Sequence, residues 1–167
     1  TTTKRLKLKK SKICEPIRTF SCQVIPDWTN ENGYMDELKY SEVFSKATDN
    51  FLILIGCDKK YISAGNSFLA SETQIKRLAD LRSENKLRIY TTLISANRKK
   101  IHLFHEVKTK KNLVCATSEH LLIHVALKTR KIVEITQKLE KNLNFISAYH
   151  SKLVLPSGIV RAVSKAK

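Results

Sequence analysis

Residues 26–56 read PDWTNENGYMDELKYSEVFSKATDNFLILIG, and their pattern decides the fold. The opening stretch, DWTNENG, is built of turn formers and closes on Gly33. From Asp36 to Ile55 the apolar residues Tyr40, Val43, Phe44, Ala47, Phe51, Leu54 and Ile55 recur at spacings of three and four. That period predicts one continuous helix over 36–55. Asp36 and Glu37 suit its positive N-terminal end, and Gly56 stops it. The stripe is broad enough that a sheet must cover most of the helix.

The flanking sequence supplies that sheet. Upstream, IRTFSCQVI (17–25) has strand character and ends at Pro26. Downstream, 67–78, 87–97, 101–108 and 113–127 read as long strands, with turns at Asn97-Arg98-Lys99-Lys100 and at 109–112. In the third of these, Ile101, Leu103, His105 and Val107 alternate onto one face. Short connections predict an antiparallel meander rather than βαβ units. Ile135, Leu139, Leu143 and Ile146 then mark a C-terminal amphipathic helix. The order predicts an α+β fold, an antiparallel sheet wrapped around one long central helix, with a second helix at the end. Such a layer leaves its other sheet face and an edge strand exposed, which predicts self-association through the sheet as a homodimer or dimer of dimers.

Composition sets the limits. A chain of 167 residues, 42% apolar, suits one domain, read here as 15–150 with tails at 1–14 and 151–167. The formal net charge is +16, but residues 1–12 hold six cations and no anion, and 161–167 hold three more, which leaves +7 for the body. An excess of that size points to an anionic partner without requiring nucleic acid, since no stacking or groove-reading motif accompanies it. The longest apolar run, Phe51 to Gly56, is far short of the roughly 20 residues that cross a bilayer. Cys14, Cys22, Cys57 and Cys115 form no C-x-x-C pair, which suits free thiols in a reducing cytoplasm. His102 and His105 fall on opposite faces of a strand, and His120 and His124 share a face about 13 Å apart, so neither pair chelates a metal. No metal and no separate cofactor are expected.

Residues 26–56, the downstream SETQIKRLADL, the LRIYTTLISANRKKIHLFHEV hairpin and ATSEHLLIHV together resemble hot-dog thioesterases of the 4-hydroxybenzoyl-CoA thioesterase-like superfamily, most of all the betainyl-CoA thioesterase group. The likeness covers roughly 17–130 and implies a hot-dog fold that acts on an acyl-CoA thioester. That family's loop pattern is Asp-x-x-Gly-His-x-Asn. Here the positions read Asn30, Glu31, Asn32, Gly33, Tyr34, Met35 and Asp36, so the glycine is kept and the three polar positions differ. An expected Glu-Thr-His-Ile reads Glu72, Thr73, Gln74 and Ile75.

Thioester hydrolysis needs a carboxylate, to attack the carbonyl or activate water, and donors for the developing oxyanion. Backbone N–H groups near Gly33 and Met35, at a helix start, supply donors whatever the side chains. Asn30 lacks a basic lone pair and cannot replace the family's Asp. Asp27, Asp36 and Glu72 are the carboxylates that could compensate, with Glu72 foremost. The candidate catalytic set is thus Asn30, Gly33, Tyr34, Asp36 and Glu72. Asp27, Trp28, Met35 and Thr73 are expected to bind substrate, and Lys76, Arg77, Arg98, Lys99 and Lys100 to meet the phosphates of CoA. Two readings stay open: a thioesterase, or an acyl-CoA-binding module that has lost hydrolysis.

Overall fold

The computed structural model describes residues 13–155 and residue 159; the basic stretches at 1–12 and 161–167 lie outside the described residues. Strand β1 covers Ile17–Gln23 and leads through a short 3-10 turn, Pro26–Trp28, into helix α1, Glu37–Ile55. Asp36 stands just before the helix rather than in it. Its Oδ1 accepts from the Leu38 N–H at 2.9 Å, which satisfies one of the helix's orphan donors. Gly56 ends the helix in the left-handed conformation at φ 109°, where a Cβ would be strained and would also meet Leu139 Cδ1 at 3.4 Å. A short helix α2, Lys59–Ser63, follows and was not expected. Its start is set by Asp58, whose side chain accepts from the Tyr61 N–H.

Strands β2 (Asn66–Arg77), β3 (Lys86–Ala96), β4 (Lys100–Thr109) and β5 (Val114–Ala126) complete the sheet, and helix α3 covers Gln137–His150. The sheet is antiparallel throughout, in the order β1-β3-β4-β5-β2. The expected meander therefore holds for β3, β4 and β5 but not for β2, which lies at the far edge beside β5. The eight residues from Leu78 to Asn85 cross the end of the sheet to reach β3, a gap of three strand spacings or about 14 Å. The crossing is fastened on both sides. Leu78 and Ala79 donate to Cys115 O, Glu84 donates to Val24 O, and Leu81 O takes the Met35 N–H at 2.7 Å.

Helix α1 lies in the curve of the sheet. Phe51 and Ile55 pack with Leu93, Ile101, Leu103 and Leu122 at one end, where Leu139, Leu143 and Ile146 of α3 close the core. Tyr40, Val43, Phe44 and Ala47 pack with Ile89, Val107 and Ala116 at the other. Two side-chain amides tie the frame: Asn50 Nδ2 donates to Thr19 O and Asn142 Nδ2 to Ile55 O, both at 2.8 Å. This is the hot-dog arrangement. The outer sheet face is less open than expected, because Phe104 and Leu121 are 2% exposed and a His102–Glu119 pair at 3.0 Å is buried beside them. The outer edge of β2 pairs with no described strand.

Candidate active site

The inner face of a sheet around a helix should be apolar, yet here it carries a polar band. Across the sheet, Thr91, His105 and Ser118 stand opposite one another on β3, β4 and β5; in the next row, His120 of β5 faces Thr73 of β2. Every ring nitrogen in the band finds a hydroxyl. His105 bonds Thr91 Oγ1 at 2.8 Å through Nδ1 and Thr48 Oγ1 of α1 at 2.9 Å through Nε2. His120 bonds Thr73 Oγ1 at 3.1 Å and Ser118 Oγ at 2.6 Å. The two rings meet edge-on at 5.1 Å, with Phe44 stacked against His105. Burial holds both imidazoles neutral: His120 is pushed down to about 4, and His105 lies well below its ordinary value, through burial first and its histidine neighbour second.

This band floors a cavity of about 380 Å³ between α1 and the free edge strand. The helix contributes Ser41, Ser45, Thr48, Asp49 and Leu52, and the sheet contributes Phe68, Ala70, Thr73, Ile75, His120 and Leu122. Asp49 is the one carboxylate among these lining residues. Its side chain makes no hydrogen bond or ion pair with the described residues, and partial burial raises its pKa against the pull of Lys46. A second cleft of about 470 Å³ lies at the start of α1, lined by Asn30, Tyr34, Met35 and Tyr40 with Arg77 and Asp80. Ile75 lines the first cavity and Arg77 the second, so the two follow each other along β2 at a separation of about 7 Å.

The loop residues expected to carry the chemistry are occupied with folding. Asn30 Oδ1 accepts the N–H groups of Asn32 and Tyr34 at 3.0 and 3.2 Å, an Asx turn that Gly33 completes at φ 79°. Tyr34 lies under the Arg82 guanidinium at 4.3 Å, and its hydroxyl accepts from Arg82 Nη2 at 2.7 Å. Asp36 caps α1. Asp27 is exposed in the 3-10 turn, and Trp28 packs against the core cluster around Met35 and Tyr40.

Glu72 does not reach the cavity. A bulge between Ala70 and Glu72 makes Ser71 an extra residue, so Glu72 stands opposite Leu121 on the outer face and Thr73 takes the inner position. Lys76 shares that outer face, opposite Thr117. Arg98 sits at the far end of the sheet in ion pairs with Glu134 at 3.0 Å and Glu140 at 3.6 Å, with Lys99 and Lys100 beside it. The structure thus brings Thr73 to the α1–β2 cavity and Asn30, Tyr34, Met35 and Arg77 to the second cleft, and leaves the other expected contacts outside both. Asp49, Thr48 and His120 went unrecognised in the sequence. The signal for Thr48 and Asp49 is a polar stripe at 41, 45, 48 and 49, at helical spacing beside the apolar one. Among the described residues no group of three His, Cys, Asp or Glu side chains gathers as a metal site.

A family model for the thioesterase-like superfamily matches residues 24–143. The chain belongs to the thioesterase-like superfamily. Within it, an L-carnitine dehydrogenase/betainyl-CoA thioesterase of Ruegeria pomeroyi is 37% identical over 158 residues, which are 95% of this chain and 32% of that protein. A betainyl-CoA thioesterase of Pseudomonas aeruginosa is 26% identical, over 88% of this chain and 94% of its own length. The chain spans about a third of the first curated relatives it matches. Among solved structures, a hypothetical protein of Staphylococcus aureus in complex with CoA aligns at TM-score 0.80 and 15% identity, covering 89% of this chain and 96% of that one. A DHNA-CoA thioesterase of the same organism aligns at 0.73 and 14%, covering 81% and 95%. These likenesses place this thioesterase-like chain in the hot-dog fold.

Proposed function

We propose that the protein hydrolyses an acyl-CoA thioester, with a betainyl-type acyl group as the first substrate to test. The observation that carries this reading is the α1–β2 cavity, a space with both apolar and polar walls at the edge of a hot-dog sheet that no described strand covers, with one uncommitted carboxylate on its helix side. The second cleft runs on from it and offers Arg77 to the phosphorylated arm of CoA. Because the cavity lies along the edge of β2 that no described strand covers, a second copy added there would close it, and we place the working site at a homodimer interface. The reaction needs water and no separate cofactor. Cysteines outside any disulfide at Cys22, Cys57 and Cys115 support a cytoplasmic setting.

A binding module without hydrolysis is the second reading, favoured by the Asx turn that occupies Asn30 and the cap that occupies Asp36. Release of CoA thiol from betainyl-CoA and a panel of short, branched and aromatic acyl-CoAs separates the two. We expect turnover well above the protein-free rate on at least one substrate. Acyl-CoA binding by calorimetry with no turnover across the panel would select the binding module.

A further inference from the structure

We propose that Asp49 of α1 is the general base of the hydrolysis, so that the reacting carboxylate lies on the central helix and not in the loop before it. The inference rests on the thioesterase reading above and deepens it. In the loop, the Asn30 side-chain oxygen holds two backbone N–H groups, Tyr34 holds Arg82, and the Asp36 carboxylate holds the helix start. Glu72 is turned to the outer face by the bulge. In the cavity itself, both nitrogens of His120 are bonded to hydroxyls. Among the lining residues, Asp49 alone brings a carboxyl group, and no hydrogen bond or ion pair with the described residues engages it.

Position argues the same way. Asp49 lies twelve residues beyond the first residue of α1, a rise of about 18 Å. Within one chain it therefore cannot assist groups at Gly33, and it works on a carbonyl held in the α1–β2 cavity. Asp49 is exposed in the single chain, and the burial it does have raises its pKa against the pull of Lys46. The other groups about it are Lys46 on its own helix and His120 across the cavity on β5, while β2 presents only the Thr73 hydroxyl.

The step balances with water alone. The Asp49 carboxylate takes one proton from a water molecule as its oxygen bonds to the thioester carbonyl carbon, and the carbonyl π pair moves onto oxygen. When that oxyanion collapses, the C–S bond breaks and the sulfur leaves with its electron pair. The thiolate then takes the proton from Asp49, releasing the free acid and CoA thiol and restoring the carboxylate.

The test compares wild type with Asp49→Asn, Asp49→Ser and Asp36→Asn on the best substrate of the acyl-CoA panel, reading kcat and KM separately from pH 5 to 9. For both Asp49 variants we expect kcat to fall on the order of a thousandfold, with KM within about threefold and an unchanged melting temperature. Asp36→Asn, which keeps the cap, should match wild type. Wild-type turnover with Asp49→Asn or Asp49→Ser within tenfold in kcat overturns the proposal, and a KM rise alone would make Asp49 a holder of the acyl group. Absence of wild-type turnover across the whole panel overturns the thioesterase reading, and the role of Asp49 with it.

Discussion

His120 shows how one buried side chain writes a pH dependence into the molecule. Its imidazole is 6% exposed and bonded on both nitrogens to neutral hydroxyls, so protonation would strand a charge in the core. Its folded pKa of about 4 lies below the ordinary 6.5, so between those values the unfolded chain binds more protons than the folded one. Stability from this residue is therefore fully present above pH 6.5 and is lost as pH falls toward 4. By pH 5 the loss relative to pH 7 amounts to about 2 kcal/mol. Urea unfolding at the two pH values should show a drop in wild type that His120→Gln reduces by about that amount; an equal drop in both proteins would place the proton elsewhere. His105, shifted in the same direction, keeps part of the slope in the variant.

At the scale of the element, α1 reconciles two duties along one cylinder. Its apolar stripe builds both halves of the core, while the stripe at Ser41, Ser45, Thr48 and Asp49 walls the cavity. Its first turn depends on Asp36, so Asp36→Ala should cost about 1 kcal/mol in thermal or denaturant melts, whereas Asp36→Asn should cost little. A loss of stability as large with Asn as with Ala would contradict the capping role. The apolar period made the helix legible to within one residue, and strand character, turn residues and alternation together located all five strands. What alternation could not supply was the bulge: counted regularly from Phe68 and Ala70, Glu72 falls inside and Thr73 outside, the reverse of the structure. Strand order was equally invisible, because a chain reads β2 before β3 whether or not they touch. The polar stripe stands in plain sight, but a polar row beside so strong an apolar one is also the ordinary pattern of a solvated helix face.

For the whole molecule, the outer edge of β2, beside which no described strand lies, is the feature to be accounted for. It is twelve residues long, and its inward-facing Ala70, Thr73 and Arg77 are exposed in the single chain. An edge of that length invites pairing with another copy, and sedimentation at micromolar concentration should give about twice the 19.1 kDa of one chain. A monomeric mass would remove the second wall of the proposed site. The bulge at Ser71 sits on this same edge, and it makes the strand tolerant of a change in length. With Ser71 deleted, the chain would alternate from Ala70 to Glu72 to Thr73 without interruption, and each of those side chains would keep the face it now has. A one-codon loss at this spot would shorten the rim of the site while leaving its lining intact, so related chains can differ there by a gap and still present the same wall to substrate.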